Sequence, residues 1–195
     1  TATVGGNTVI TATDATFGTL TIDGTADISA ATATVGDLTV GGVANVTTTG
    51  DLTVTNGTFK SDATITVGGN AKIDELTVAG TATIDVEGNF DTVNSTFEGY
   101  ADVDVNGNFT ATTVTANDSL NLDVAGDATA ENVTVNKAFT TTADTLTIAD
   151  KLTVGENATI SATTIDVATA TVGGNTVITA TDATFGTLTV DGTAD

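Results

Sequence analysis

Three aspartates recur at one constant interval: Asp85, Asp104 and Asp123. Each sits between two apolar residues, in Ile84-Asp85-Val86, Val103-Asp104-Val105 and Leu122-Asp123-Val124. In an extended strand the flanking side chains point to one face and the aspartate to the other. If successive segments stack, the carboxylates form a line with ~5 Å between like charges, and they repel. Nothing basic lies near them in the sequence. Such a line calls for a divalent cation, raised pKa values, or a Lys from a neighbouring molecule. Asp102 and Asn106 could add oxygen donors for a hard cation such as calcium. The competing reading is a solvated acidic face; it needs no partner and is preferred.

Other residue types narrow the chemistry further. The chain has no His, Cys or Arg, so the usual bases, nucleophiles and anion clamps are missing. Paired carboxylates leave room for an acid-only polysaccharide hydrolase, but aromatic sugar platforms are few. The expectation is a protein that is not an enzyme. Outward threonines recur at Thr21, Thr39, Thr53, Thr66, Thr77, Thr153, Thr171 and Thr189. A regular Thr array could match ice, yet this one is one residue wide and broken by the Asp positions, and Thr is a good strand residue in any case. Seven N-x-[ST] triplets begin at Asn45, Asn56, Asn94, Asn108, Asn117, Asn132 and Asn157. In a chain this rich in Thr several arise by chance, and glycosylation requires a secreted chain. Phe90 and Phe109 are expected to stack inside the fold together with Phe97, with Tyr100 reaching the surface.

Composition sets the elements that must carry these residues. Thr is roughly a quarter of the chain, far above ordinary usage. Pro, Met and Trp are absent, and the apolar residues are mostly small or β-branched, which suits closely stacked strands. Net charge is −21, with Lys60, Lys72, Lys137 and Lys151 the only cationic side chains. That balance excludes nucleic acid as a partner and disfavours an anionic membrane surface. No apolar run is long enough for a helical membrane span. Without cysteine there is no disulfide framework or thiolate metal site.

The chain repeats at two scales. Residues 169–195 copy residues 1–27 except for Ile22 against Val190, so a long period runs from Thr1 to Thr169. The expected organisation is a continuous segment over 1–195, with 1–168 one module and 169–195 the start of the next, a window on a longer tandem polypeptide. Beneath it, a tripeptide of type [LIVA]-[TD]-[VI] returns at near-regular steps, from 2 to 20 to 38, 65 to 84 to 103 to 122, and 152 to 170 to 188. The intervals 38–65 and 122–152 break the pattern and are expected to hold shorter rungs or small insertions. A Gly stands at the fifth position in Gly6, Gly24, Gly42, Gly69, Gly88, Gly107, Gly126, Gly174 and Gly192, where a tight corner needs positive φ or close backbone approach. Apolar pairs spaced i, i+2 follow, such as Ala26 and Ile28, and Ala15 and Phe17. The prediction is an all-β, single-stranded parallel β-helix, or β-solenoid, with ~18–19 residues and three short strands per rung. Parallel connections favour a right-handed coil. The rival left-handed hexapeptide coil lacks its six-residue period here.

The runs GTLTVDGTAD (186–195), GDLTVGGVANV (36–46) and VEGNF (86–90) resemble the repeats of filamentous-haemagglutinin-type and autotransporter-type extracellular β-solenoid proteins of prokaryotes. The composition is also similar to S-layer and calcium-dependent adhesin proteins, though their nonapeptide GGxGxDxUx does not continue from Val4-Gly5-Gly6-Asn7. The resemblance implies an extracellular or cell-surface fibre used in adhesion, biofilm matrix or a surface coat. The expected partner is the chain itself, in a covalent tandem array or stacked end to end, with cell-surface or matrix components beside it. The alternatives are a rigid stalk presenting ligand-binding domains elsewhere in the chain, and an S-layer-type calcium-dependent coat.

Overall fold

The computed structural model describes residues 1–195, and they form a β-solenoid. There is no helix, and every strand pairs in parallel with a strand about one coil away in sequence. Following one column shows the winding: Thr8, Ala26, Ala44, Ala63, Ala82, Ala101, Leu120, Phe139, Ala158 and Thr176 each pair with the next. Ten coils result, beginning at those residues; coil 5 is 82–100 and coil 10 is 176–193.

Each coil has three inward-facing runs, as the alternation of residue types predicts. In coil 5 they are Ala82, Ile84 and Val86, then Phe90 and Thr92, then Ser95 and Phe97, all buried. Outward residues alternate with them, and two or three consecutive outward residues mark each corner. The inward runs of all coils merge into a single core of 53 buried apolar residues. The column that includes Ile28, Val46, Ile65, Ile84, Val103 and Leu122 shows why small and β-branched residues suffice, since each methyl group packs on its own kind one coil away. Thr141 enters this column as a buried hydroxyl without a partner. Phe90 and Phe109 meet edge-to-face with ring centroids 5.5 Å apart, and Phe97 is buried while Tyr100 is 42% exposed.

The irregular intervals disappear in three dimensions. Successive coils are offset by 18 or 19 along the chain, and Leu38 pairs with Gly57, not with a residue near 65. Residues 65, 84, 103 and 122 belong to a different face from 20, 38, 152, 170 and 188. Two faces of the coil share one local pattern of apolar residue, Thr or Asp, Val and then a Gly-containing corner, so the sequence period jumps between them. No shorter rung is present, and the insertions are single residues. The extra residue of the longer coils is a third corner residue, as in 87–89 and 106–108. In coil 8 it is taken up instead by a bulge at residues 149–150.

The corner glycines work by close approach alone, because no residue has positive φ. A Cβ on Gly88 would lie 2.6 Å from the Gly69 carbonyl oxygen and 2.7 Å from Asn70 Oδ1. On Gly107 it would lie 2.6 Å from the Gly88 oxygen and 2.5 Å from Asn89 Oδ1. Stacked corners leave no room for a side chain at that step. Backbone bonding continues through the corners: the 42 backbone hydrogen bonds outside the strand ladders also run between coils, among them Gly88 N to Gly69 O at 2.9 Å and Gly107 N to Gly88 O at 3.0 Å. The stack therefore has almost no unpaired main chain along its length.

Candidate functional site

Chemistry on a solenoid lives in its outward columns, where one residue type repeats at the coil spacing of ~4.8 Å. Three such ladders stand out, and the coil register builds each of them.

The first is the acidic ladder. Asp85 pairs with Asp104 and Asp104 with Asp123, so the three aspartates lie in one column of coils 5, 6 and 7. Thr66 precedes them and Thr142 follows them in the same column. All three are exposed. Partial burial of the middle member, Asp104, raises its pKa above the ordinary value, and the charges of Asp123, Asp85, Asp102 and Glu87 raise it further. The neighbouring outward column supplies Asp102, but its carboxylate is engaged by Asn121, whose Nδ2 donates to Oδ1 at 2.7 Å. Asn106 lies at the corner, where its Nδ2 donates to Glu87 Oε2 at 2.8 Å. Each is thus held in an inter-coil bond of its own. The carboxylates form a line and do not converge: no group of three or more His, Cys, Asp or Glu side chains is placed to hold a metal ion.

The second ladder is hydroxylic. Thr3, Thr21, Thr39, Thr58, Thr77, Thr96, Thr115, Thr134, Thr153, Thr171 and Thr189 pair in unbroken succession. The Asp positions do not interrupt it, because they lie on another face. Thr53 and Thr66, which the sequence pattern assigns to this column, belong to two others. Its hidden members are Thr58, Thr96, Thr115 and Thr134. The first three stand in Gly57-Thr58-Phe59, Ser95-Thr96-Phe97 and Val114-Thr115-Ala116, which depart from the common tripeptide. Val133-Thr134-Val135 fits the form but falls inside the irregular interval 122–152. Stepping on from Leu38 by the interval that separates Asp85 from Asp104 finds all four.

The third ladder lies at the corners and carries no motif in the sequence. Asn70 Oδ1 accepts from Asn89 N at 2.9 Å, Asn89 Oδ1 from Asn108 N at 2.9 Å, and Asn108 Oδ1 from Asp127 N at 3.0 Å. A side-chain oxygen thus caps a free amide of the next corner, coil after coil. The opposite corner repeats the device with Asn157 and Asn175. Sequon asparagines are drawn into inter-coil bonds as well. Nδ2 of Asn56, Asn94 and Asn117 donates to Asp37, Glu75 and Glu98, respectively. A glycan would take one of the two hydrogens on such a nitrogen and leave a single N–H for the inter-coil bond.

Cations are scarce beside these ladders. Two ion pairs form, Lys72 Nζ with Asp74 at 2.5 Å and Lys137 Nζ with Asp118 at 2.5 Å, both at the surface. The hydrogen bond from Lys137 lowers the pKa of Asp118, and the backbone of Ser119 adds to the effect. The enclosed voids are water-sized, about 10 Å³, and lined by core residues such as Phe97, Val103 and Leu122. The larger concavities are open surface depressions, such as the one lined by Asn7, Val9, Asp27 and Asn45. The outward face offers repeated oxygen atoms and no enclosed reaction chamber. No protein-family model, curated protein or solved structure matches the chain.

Proposed function

We propose that the chain is a segment of a long structural fibre, displayed outside the cell or on its surface and built from tandem modules such as 1–168. One observation carries this reading. Thr8 and Thr176 occupy the same column nine coils apart, so the long period equals a whole number of coils. Coil 10 repeats the sequence of coil 1, with Val190 for Ile22, at the position where the next module would begin. A module boundary then needs no linker, and the core and hydrogen-bond ladders run through it.

The mechanism is mechanical. Each coil shields the core of the coil below it and saturates its backbone groups. Stiffness comes from the continuous ladders, and the acidic exterior keeps rods apart in solution. Adhesion, matrix formation or coating would follow from many identical outward surfaces, and catalysis is not part of the role. Native material examined by electron microscopy should show smooth thin filaments with a meridional repeat of ~4.8 Å. Discrete globular particles would contradict the proposal. Denaturing gels of the same material separate a covalent array, which stays long, from subunits stacked end to end, which fall apart.

A further inference from the structure

The charge of this protein takes on a second meaning once its shape is known. Of the net charge of −21, all but the contribution of Asp195 is distributed over the ten coils, which span about 48 Å at ~4.8 Å each. That is one net negative charge per ~2.4 Å of axis. Two unit charges in water interact with an energy of RT at ~7 Å, three times this spacing. Duplex DNA, at ~1.7 Å per charge, holds a condensed counterion atmosphere for the same reason.

The carboxylates surround the axis. Twelve of the 25 acidic residues lie at two corners of the coil, from Asp14, Glu87 and Asp182 at one to Asp23, Glu98 and Asp191 at the other. Others occupy outward columns on the faces between, including Asp27, Asp91 and Asp166. Only two are neutralised by ion pairs. No acidic group converges on an ion-sized position.

We infer that the solenoid acts as a protein polyanion that gathers multivalent cations, divalent metal ions and linear polyamines, in a mobile sheath along the whole rod and not in a coordination site. The inference stands on the ten coils described and does not require the fibre reading. Ligands are recognised by valence and not by coordination geometry. Each bound cation releases condensed monovalent ions, so affinity must fall steeply with salt.

The test is titration calorimetry of the chain 1–195 with spermine, CaCl₂ and MgCl₂ at several NaCl concentrations. Spermine is expected to bind with a log–log salt slope of about −0.8 per ligand charge, or about −3 overall. Calcium and magnesium are expected to bind weakly and within about threefold of each other. Replacing Asp85, Asp104 and Asp123 with Asn is expected to weaken spermine binding by no more than about threefold. The control Asp27→Asn, Asp91→Asn, Asp166→Asn should weaken it equally, because both variants remove three charges from one rod. A salt-insensitive affinity, a tenfold preference for calcium over magnesium, or loss confined to the Asp85–Asp104–Asp123 variant would overturn the proposal in favour of a chelating site. Absence of spermine binding at low salt would overturn it outright.

Discussion

Replacing Asp104 with Asn removes the middle charge of the acidic ladder and leaves its shape. Asp104 faces Asp85 on one coil and Asp123 on the other. Like charges directly opposite across a strand pair cost roughly 0.2–1 kcal/mol each. Coulomb's law at ~5 Å in water gives about 0.8 kcal/mol before screening, in the same range. Two such pairs make a relief of about 1 kcal/mol at neutral pH and low salt. The pH dependence isolates the charge from any gain Asn makes by hydrogen bonding. Asp104 holds its proton more tightly in the folded chain than the ordinary value of 3.8, through burial first and then the neighbouring carboxylates. Below the ordinary value both states are protonated, and the ladder carries no penalty. As pH rises through the folded value, the folded state must ionise at a cost the unfolded state does not bear. The advantage of Asp104→Asn should therefore be absent near pH 3, grow through the acid range and level off by neutrality. It should shrink in 0.5 M NaCl as the Debye length contracts. A stack of coils need not unfold in one step, so the suitable assay is amide hydrogen exchange across coils 5 to 7, with urea unfolding as a global check. An advantage of equal size at pH 3 and pH 7, or a loss of stability at pH 7, would refute the repulsion argument.

Gly107→Ala should destabilise by about 1–3 kcal/mol, because its Cβ would strike the Gly88 oxygen and Asn89 Oδ1. Gly57→Ala, where a Cβ would meet only side-chain carbons at 3.4 Å or more, should be near neutral; urea melts of the pair check both. Asn89→Ala removes the acceptor of Asn108 N and should cost about 1 kcal/mol, read as faster exchange of that amide. Thr141→Val replaces an unpartnered buried hydroxyl in an aliphatic column and should stabilise by about 1 kcal/mol, raising the urea midpoint. Phe109→Ala empties the edge-to-face pair with Phe90 and should cost about 3–5 kcal/mol, with exchange rising in the adjacent coils.

The fold class was legible because period-two alternation and a steady return of one short strand form leave little choice of architecture. The aspartate register was legible as well, since Asp85, Asp104 and Asp123 share one strand form at one constant interval. The threonine ladder was only partly legible. Its coils 3, 5 and 6 carry Gly57, Ser95 and Ala116 at inward positions of the tripeptide, so matching on residue type lost a column that counting would have kept. The two irregular intervals arose from the same cause, beyond the single extra residue each holds: Leu38 and Ile65 open similar tripeptides on different faces. Steric pairing across coils decides the face, and that information lies a full coil away in the chain and not in the local string. The corner carboxamides were missed because Asn70, Asn89 and Asn108 act on amides of the next coil, leaving no sign within their own. The glycines read correctly as corners but for only one of two offered reasons, close approach without positive φ.

If the proposed fibre exists, its modules join in register as one rod. Small-angle X-ray scattering on chains carrying one, two and three copies of the repeat 1–168 tests it directly. Nine coils at ~4.8 Å predict that the maximum dimension grows by about 43 Å per module, while the cross-sectional radius stays constant. Growth well short of this with a rising cross-section, or the scattering of beads joined by flexible links, would contradict it.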